Sequence, residues 1–484
     1  MIVEPKPAGR ALGSGASSSI PGRRVDNAGP AQPLCDQDEI LRRASPLFRA
    51  EQSKDLREVV AGKIEELRHY DVLAIDRVAA ICFFGKSGSL LLASYLDGHE
   101  DVMMLPGLCG TDIYKFFERY PSLTLRDKLI GYPGYTQHFA PFFEGGFAIS
   151  SSQYYAAVQA ILECYSEWPS DFLESRRAFF LFVHIAYNIA LGRRPASPCP
   201  LIVYAQHFWN PVMASELVED FPRAKFIHTV RDPITLSGQI LADRLLPSER
   251  LPNPNEIPPV AKRQLFSLTR WCVAPFQKLA DLLRRRRFRL FSPINGDRPH
   301  FGMESRTRAV RFEDLHCDTA ETMRDLSDWL GLSYQETLIQ STFNGIPYVV
   351  TRDGKAWSGR RPEQAQRKLR YISRKDQALL FALFHKNFVA WNYPYPKIFG
   401  NPIVRCIVFV TLVIFPMKIE IMAAQALFKE KILPSVRRGN ISIAIKSLLR
   451  IVSYRLALTL LFVLEFVGRC AHGKTLLQVD HARR

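Results

Sequence analysis

A run of small residues separates two apolar segments near residue 85. The first apolar segment ends in Ile81-Cys-Phe-Phe84, the small residues are Gly85-Lys-Ser-Gly-Ser89, and the second segment begins with Leu90. This order predicts a buried strand, a tight turn and the start of a helix. The free N–H groups and the dipole at a helix start favour an anion, and Lys86 adds a compact positive charge beside them. We therefore expect this turn to bind a phosphate-like group, although an ordinary Gly/Ser turn would have the same composition.

A nucleoside triphosphate would be the usual ligand of such a turn, but the pattern is incomplete. The phosphate-binding loop of nucleoside triphosphatases has the form Gly-x-x-x-x-Gly-Lys-[Ser/Thr]. Counting back from Gly85 places Ala80 where the first glycine belongs. A kinase is therefore an alternative and not the first hypothesis.

A second turn of a similar kind follows another apolar segment. Residues 224–230 read as a buried strand that stops at Arg231-Asp-Pro233, and the residues after it suit a helix. Proline is favoured in a first helical turn, and an arginine at that place can hold a phosphate through two hydrogen bonds. A surface Arg–Asp pair that caps the helix is the simpler alternative.

Two later segments complete a pattern that resembles the sulfotransferase family, whose members use 3′-phosphoadenosine 5′-phosphosulfate (PAPS) as the sulfuryl donor. Residues 309–315, continued by residues 321–332, are similar to a strand and a helix of that family. Residues 352–357, with Asn392-Tyr-Pro394 downstream, resemble its closing segment. The segments occur in the family's order and extend over residues 75–397.

The resemblance implies which residues hold the donor. The first turn would bind the 5′-phosphosulfate, and Arg231 would bind the 3′-phosphate. The family's 3′-phosphate serine usually lies eight residues after that arginine, where this chain has Gln239, while Ser237 is the available serine. Many members also have a second hydroxyl residue where this chain has Leu90. The donor-binding residues expected from the resemblance are Gly85, Lys86, Ser87, Gly88, Ser89, Arg231, Ser237 or Gln239, Arg352, Gly354 and Lys355.

The reaction requires a cation and a base. In sulfuryl transfer, as in phosphoryl transfer, an electron-poor group moves in line between an attacking and a leaving oxygen, and Lys86 would offset the charge that develops on the leaving phosphate. His207 follows an apolar strand at a place similar to that of the family's histidine base, although it could simply cap the strand. The remaining candidates are Asp97, Glu100 and Asp101 as bases, with His99 and His228 expected to be structural. No metal ion is implied.

We expect an α/β fold with a P-loop-like, mostly parallel sheet flanked by helices. The predicted parts are a disordered leading segment (1–60), a sulfotransferase domain (75–397) and a C-terminal apolar helical region (400–484). A helical insertion rich in Tyr and Phe is expected over residues 108–195. Its rings would either line an acceptor cleft or pack the insertion.

The formal net charge of +17 favours anionic partners, such as the donor, an acidic glycan or an anionic membrane surface. Nucleic acid is not an expected partner, because the strongest basic cluster, residues 284–289, adjoins a helical pattern without a nucleic-acid-binding module. Nine cysteines without a Cys-x-x-Cys pair indicate reduced thiols, and residues 1–40 contain no export signal. A cytoplasmic protein is therefore expected.

Residues 402–470 differ in character from the rest of the chain. Two apolar runs, residues 406–416 and 456–464, are flanked and separated by Lys and Arg. A membrane-spanning helix needs about 20 mainly apolar residues, so these runs are not expected to span a membrane. They suit helices that lie in a membrane interface and attract anionic lipids. A helical subdomain packed against the enzyme core or a second subunit is the equal alternative.

The sequence thus predicts a PAPS-dependent sulfotransferase that modifies a hydroxyl of a glycan or a lipid-linked carbohydrate, peripheral on the cytoplasmic face of a membrane. The alternatives are a P-loop kinase, which would need ATP, and a membrane-associated glycan-binding protein with a degenerate nucleotide pocket, which would transfer nothing.

Overall fold

A computed structural model describes residues 54–83, 87–105, 113–132, 149, 151–207, 211–245, 304–352, 355–365 and 372–471. Within these ranges, five parallel strands form the main sheet, in the spatial order β2-β3-β1-β4-β5. A parallel sheet covered on both faces needs central strands that are nearly continuous apolar runs, as β1 and the first five residues of β3 are. The strands are β1 (Val78–Phe83), β2 (Val102–Met104), β3 (Leu201–His207), β4 (Lys225–Val230) and β5 (Thr307–Arg311).

The carboxyl ends of the central strands meet at one edge of this sheet. Phe83 at the end of β1 is in register with His207 at the end of β3, and Val230 at the end of β4 is in register with Arg311 at the end of β5. After β1, the chain first adds β2 and β3 on one side of it and then β4 and β5 on the other side. Open α/β sheets bind ligands at such a switch point. The predicted fold class, a mostly parallel sheet flanked by helices, is confirmed.

Helices connect and cover these strands. Those up to β4 are α1 (Lys54–Leu67), α2 (Ser89–Leu96), α3 (Ile113–Arg119), α4 (Leu125–Gly131), α5 (Ser151–Glu163), α6 (Ser170–Leu173), α7 (Arg176–Ala190) and α8 (Pro211–Asp220). After β4 come α9 (Pro233–Leu245), α10 (Phe312–Cys317) and α11 (Thr319–Leu330).

Two small hairpins and a group of helices follow. The hairpin strands are β6 (Thr342–Phe343), β7 (Ile346–Pro347), β8 (Val349–Arg352) and β9 (Lys355–Ser358). The helices are α12 (Pro362–Ala365), α13 (Arg374–Ala390), α14 (Pro402–Val413), α15 (Lys418–Leu427), α16 (Leu433–Arg437) and α17 (Ile441–Ala471), with a π-helical turn at Phe428–Ile432. Short 3-10 turns lie at Tyr165–Glu167, Glu304–Arg306, Glu336–Ile339 and Lys397–Gly400.

The central strand β1 separates two apolar cores. Val78, Ala80 and Cys82 belong to a core with α7, whereas Ala79 and Ile81 belong to a core with α2 and α11. Side chains of a strand alternate between its faces, so this division follows directly from the extended backbone. Burial on both faces fixes the position of the turn that follows β1.

The predicted helical insertion is present and is organised around α7, whose residues 178–190 are all buried. Buried rings of Phe116, Tyr132 and Phe179 meet with centroids 5.3 to 5.9 Å apart. These rings pack the insertion, which supports the packing interpretation for them. The aromatic stretch at 133–148 lies outside the described residues.

The C-terminal helices pack on the part of the sheet that carries β4. Residues 379–384 of α13 share one core with Val230, with Leu236 of α9 and with Phe409 of α14. The alternative of a helical region packed against the enzyme core is therefore correct for this inner face.

Most of the predicted leading segment 1–60 lies outside the described residues, but its end belongs to α1, which begins at Lys54. This end of the leading segment is therefore helical. By length and composition alone, Pro402–Arg437 is apolar enough to cross a membrane, with a mean hydropathy of 2.1 in its most apolar window. The α-helix is interrupted within that segment at residues 414–417.

Candidate active site

The turn after β1 leads into α2 through a glycine in the left-handed region. Gly88 has φ +95° and ψ +11°, and its carbonyl oxygen accepts the first hydrogen bond of α2 from the N–H of Leu92. Residues with a side chain rarely adopt this φ, so glycine is required at this point. Ser87 and Ser89 on either side are buried. The other two predicted members of the turn, Gly85 and Lys86, lie outside the described residues.

Three hydroxyl groups hold the turn against β4. The Oγ of Ser87 lies 2.7 Å and the Oγ of Ser89 lies 2.5 Å from the Oγ1 of Thr229, and the two serine oxygens are 3.2 Å apart. All three residues are buried, so their mutual hydrogen bonds replace hydrogen bonds to water. Sequence reasoning missed Thr229. A hydroxyl residue two positions before Arg231, at the end of an apolar strand, was the available signal.

The second predicted turn begins α9 as expected. The carboxylate of Asp232 accepts hydrogen bonds from the N–H groups of Ile234 (3.2 Å) and Thr235 (3.1 Å) and from the Thr235 hydroxyl (2.6 Å). It therefore serves as the N-cap, while Pro233 occupies the first helical position, where no N–H is needed. Asp232 thus shapes the turn that presents Arg231.

The guanidinium of Arg231 is almost fully buried, and its contacts include a hydrogen bond and an aromatic ring. Nη1 donates to Oε1 of Gln239 at 2.9 Å, and Cζ lies 3.9 Å from the ring centroid of Phe312. Of the two alternatives for the 3′-phosphate, the structure brings Gln239 onto the arginine. Ser237 is fully buried, and its Oγ has no hydrogen-bond partner within the part of the chain that the structure describes.

Phe312 connects the two turns. Its ring lies over Arg231, and its Cδ2 atom is 2.6 Å from the position that a Cβ would take on Gly88. The turns after β1 and β4 therefore meet at one aromatic side chain and do not open onto separate clefts. Phe312 was also missed as a functional residue. Its place directly after the carboxyl end of a parallel strand, at the edge where ligands bind, was the signal.

The predicted base lies at the same edge. His207 is the last residue of β3, and its backbone is in register with Phe83, the residue from which the first turn departs. The structure therefore puts the backbone of His207 beside the last residue of β1. The His207 side chain lies outside the described atoms.

The substitute bases are at the opposite edge. Asp97 is fully buried and pairs with Arg193 through two hydrogen bonds of 3.1 Å, and it also accepts from Thr342 and from the N–H of Gly345. The carbonyl oxygen of Asp101 accepts from Leu201, the first residue of β3. A strand of six or seven residues is about 20 Å long, which separates these carboxylates from the two turns. Asp97, Glu100 and Asp101 are therefore wrong as alternative bases.

The two histidines expected to be structural are both buried. His99 contacts the carbonyl oxygen of Ser333 through Nε2 at 2.8 Å, and its Nδ1 accepts from the N–H of Asp101 at 3.0 Å. His228 lies within β4, in register with Cys82. His99 thus makes its hydrogen bonds at the amino-terminal edge of the sheet.

The closing segment is a hairpin whose end is tied to α10. Arg352 and Lys355 are in register across β8 and β9, but their side chains, together with Gly354, lie outside the described atoms. Arg361 follows the hairpin, and its N–H donates to Nδ1 of His316 in α10 at 2.9 Å. Burial, together with the positive charges of Arg231 and Arg361, lowers the pKa of His316 to about 4. A neutral His316 is the form that can accept this bond.

A second tie connects the Arg231 turn to the segment 392–394. The carboxylate of Glu313 accepts hydrogen bonds from the N–H of Asp232 at 3.2 Å and from the hydroxyl of Tyr393. Burial raises the pKa of Glu313 above its ordinary value. Nη1 of Arg311 donates to the carbonyl oxygen of Asn392 at 3.1 Å. The segments that resemble one family in sequence are therefore in direct contact in space.

The family assignment rests on a match over the same region. A model of the sulfotransferase family matches residues 80–336, a range that contains most of β1, both turns and α10. The chain belongs to the sulfotransferase family. The match ends before the hairpin β8–β9. A search of curated proteins gives no match.

Three solved sulfotransferase structures are similar to this chain at low identity and low TM-score. The sulfotransferase domain of the olefin synthase from Synechococcus PCC 7002 is 18% identical with a TM-score of 0.28, and the match covers 60% of this chain and 83% of that one. The sulfotransferase domain from the curacin biosynthetic pathway is 16% identical with a TM-score of 0.31, and the match covers 66% of this chain and 99% of that one. The sulfotransferase STF9 from Mycobacterium avium is 12% identical with a TM-score of 0.27, and the match covers 65% of this chain and 87% of that one.

The residues at this edge are suited to a ligand with two anionic groups. A glycine without Cβ and the start of α2 provide backbone donors at one turn, and a buried guanidinium provides a planar cation at the other. Within the described ranges, no group of three or more His, Cys, Asp or Glu side chains is placed to hold a metal ion.

Proposed function

We propose that this sulfotransferase uses PAPS as its donor and transfers the sulfuryl group to a hydroxyl of a carbohydrate, either free or lipid-linked. One observation carries the donor part of the proposal: Gly88 and Arg231 both contact the ring of Phe312. A nucleotide with one anionic group at each end can therefore touch both turns at once. A donor with a single phosphate cluster would leave the buried arginine unused.

The roles of the residues follow from the charges that the reaction creates. Bound PAPS would supply an activated sulfuryl group with a phosphate as its leaving group. Lys86 and the N–H groups of residues 87–89 would stabilise the negative charge that grows on that phosphate. Arg231, oriented by Gln239, would hold the 3′-phosphate. His207 would accept the proton of the acceptor hydroxyl, a role typically worth about two to four orders of magnitude in rate.

The carbohydrate acceptor is supported by charge and by surface character. The net charge of +17 attracts acidic glycans to the protein. The exposed apolar side chains of the C-terminal helices would keep the enzyme near lipid-linked acceptors. Both features raise the local concentration of such acceptors and do not specify a linkage.

A sulfate-transfer assay tests the proposal. Purified full-length protein is incubated with labelled PAPS and a panel of free and lipid-linked glycans, and labelled product is measured for wild type, Lys86→Ala and His207→Gln. Both variants should lose at least about 100-fold in kcat, because each removes a group that acts in the transition state. Lys397→Ala removes an exposed lysine in a different part of the chain and should behave as wild type.

The pH profile separates the two roles. Wild type should lose kcat at low pH, where the base is protonated, and His207→Gln should not show that acidic limb. Displacement of 3′-phosphoadenosine 5′-phosphate by ATP, with transfer of labelled γ-phosphate, would support a kinase. Nucleotide binding without any transfer, and unaffected by Lys86→Ala, would support a glycan-binding protein.

A further inference from the structure

Exposed apolar side chains are concentrated in the C-terminal helices. Of the large apolar residues that are exposed in the described parts of the chain, all but five lie between Ile398 and Val467. Monomeric soluble proteins rarely expose contiguous apolar surface on this scale. The concentration therefore indicates a surface that meets something other than water.

Helix α14 presents one apolar stripe outward. Ile403, Ile407 and Val410 of α14 and Ile414 at its C-cap follow one another at intervals of four, three and four residues, and between 61% and 67% of each is exposed. Residues at this spacing share a single helix face. The inward residue Phe409 is 3% exposed, so the helix is seated on the protein by its other face.

Helix α17 presents a longer stripe of the same kind. Exposed apolar residues recur along it at intervals of three or four, beginning with Ile441 and ending with Val467. Leu458 and Phe462 are fully buried on the inner face. The members of this outer stripe are Ile441, Ile445, Leu448, Val452, Leu456, Leu460, Leu464 and Val467, with Leu449 beside it.

The inner faces join these helices to each other and to the enzyme. The rings of Phe409 in α14 and Phe466 in α17 stack with centroids 4.0 Å apart and an interplanar angle of 7°. Nη1 of Arg455 in α17 donates to the carboxylate of Glu420 in α15 at 2.7 Å, and both side chains are largely buried. The same apolar core continues into α9, which starts at the Arg231 turn. The outer stripes thus belong to a folded unit that is fixed to the active-site side of the sheet.

The charge of this unit identifies the partner. Residues 402–471 contain ten Lys and Arg but only three Asp and Glu, and one of the three, Glu420, is paired internally with Arg455. Side chains of Lys429, Arg437 and Lys446 are exposed beside the apolar residues. Apolar stripes flanked by exposed basic residues match the boundary between anionic headgroups and acyl chains. A second copy of this chain would bring the same positive charges together.

We propose that the outer faces of α14 and α17 bind peripherally to the surface of an anionic lipid bilayer. The α14 helix has 12 residues and is about 18 Å long, which is too short to cross the hydrocarbon core. The inner face of α17 carries Arg455 and packs on the protein, so spanning would require removing it from the fold. Lipid contact by the outer faces alone leaves the packing of the enzyme intact. The proposal does not depend on the donor or the acceptor of the reaction.

Vesicle flotation without any nucleotide tests this surface. The full chain is mixed with vesicles of phosphatidylcholine alone, or with about a quarter of phosphatidylglycerol added to create a negative surface. Wild type should float with the anionic vesicles and bind them at least about tenfold more weakly in high salt. Failure of wild type to float with anionic vesicles at low salt overturns the proposal.

Matched variants locate the contact. The α14 variant is Ile403→Gln, Ile407→Gln and Val410→Gln; the α17 variant is Leu449→Gln, Val452→Gln and Leu456→Gln. Each should reduce flotation at least about tenfold, because three exposed apolar side chains leave the lipid. The control is Leu73→Gln, Ile346→Gln and Val389→Gln, which changes three apolar residues exposed elsewhere and should float as wild type. Equal losses in all three variants would contradict the assignment.

Charge and self-association are measured on the same proteins. Lys429→Gln, Arg437→Gln, Arg438→Gln and Lys446→Gln together should abolish the preference for anionic vesicles. Circular dichroism verifies that each variant melts at the temperature of wild type. Light scattering gives the oligomeric state, and a dimer that the α14 and α17 variants convert to monomer, with no flotation of wild type, would assign the surface to a second copy and overturn the proposal.

Discussion

Arg231 donates a hydrogen bond from Nη1 to Oε1 of Gln239, eight residues further along the chain, at 2.9 Å. The amide oxygen of Gln239 is thereby occupied, and its NH₂ group remains the part that can donate to a phosphate. Gln239 thus orients the cation from the position where many sulfotransferases place a serine. From this position the glutamine side chain is long enough to reach the guanidinium.

Replacing Gln239 by leucine tests this relationship. Gln239→Leu should raise the KM for PAPS about fivefold, equivalent to about 1 kcal/mol, with kcat nearly unchanged, because a 3′-phosphate contact is remote from the bond that breaks. Steady-state kinetics give both constants. Ser237→Ala is the paired variant, and a raised KM in Ser237→Ala with an unchanged KM in Gln239→Leu would reassign the phosphate contact to the serine.

Gly88 is tested by adding a single methyl group. A Cβ at this position would lie 2.6 Å from Cδ2 of Phe312, and φ is +95°. Gly88→Ala should lower the free energy of unfolding by roughly 1–3 kcal/mol. It should also weaken binding of 3′-phosphoadenosine 5′-phosphate, because the displaced ring of Phe312 packs against Arg231. Gly192→Ala is a matched control, since Gly192 has φ +70° and open space around it.

Comparison of these glycine variants isolates the steric effect of the ring. Gly192→Ala should show the backbone strain without any change in nucleotide affinity. Adding Phe312→Leu to Gly88→Ala should recover part of the lost stability, because it removes the close contact but not the strain. Chemical denaturation and calorimetric titration provide the two readouts, and equal affinity of wild type and Gly88→Ala would disprove the link through Phe312.

The hydroxyl group of Thr229 is predicted to hold the first turn in place. Thr229→Val keeps the shape of the side chain but leaves the buried hydroxyls of Ser87 and Ser89 without this partner, at a cost of about 1–3 kcal/mol in unfolding free energy. Thr229→Ser keeps the oxygen and should lose less. Denaturant titration of both variants measures the difference, and a Thr229→Val protein as stable as wild type would show that the cluster adds nothing.

The predictable and unpredictable parts of the site differ in range along the chain. Ser87, Gly88 and Arg231 could be predicted because a turn between a buried strand and a helix is a local pattern. Thr229 and Phe312 could not, since their importance comes from contacts made across the sheet. The contact of Thr229 with Ser87 joins residues 142 positions apart. Local periodicity contains no information about such distances.

The C-terminal helices also show what could not be predicted from the sequence alone. Their alternating apolar and basic residues predicted two uses, a membrane interface or packing on the enzyme. The structure shows that Phe409 and Val410, adjacent in sequence, face opposite sides, one buried and one exposed. Composition cannot separate two uses that a single helix divides between its faces. That separation required knowing which neighbours the inner face meets.

His184 in α7 makes the stability of the fold depend on pH. Its ring is fully buried beside Phe180 and Tyr204, Nδ1 contacts the carbonyl oxygen of Phe180 at 2.8 Å, and burial lowers its pKa to about 4. The unfolded chain binds a proton near the ordinary histidine pKa, whereas the folded chain does not until the pH is far lower. Stability from this group is therefore complete above the unfolded pKa of about 6.5 and falls as the pH decreases towards 4.

Replacing this imidazole by a ring that does not titrate should remove the dependence. Between pH 7 and about pH 5, the His184 imidazole should lower the free energy of unfolding of wild type by about 2 kcal/mol. His184→Phe should not show this loss. Other titrating groups, including Glu313 with its raised pKa, are common to both proteins and cancel in the difference. Denaturant unfolding of both proteins across this range gives the two slopes. Parallel slopes would mean that the folded protein protonates His184 as readily as the unfolded chain, and that the core around α7 admits water.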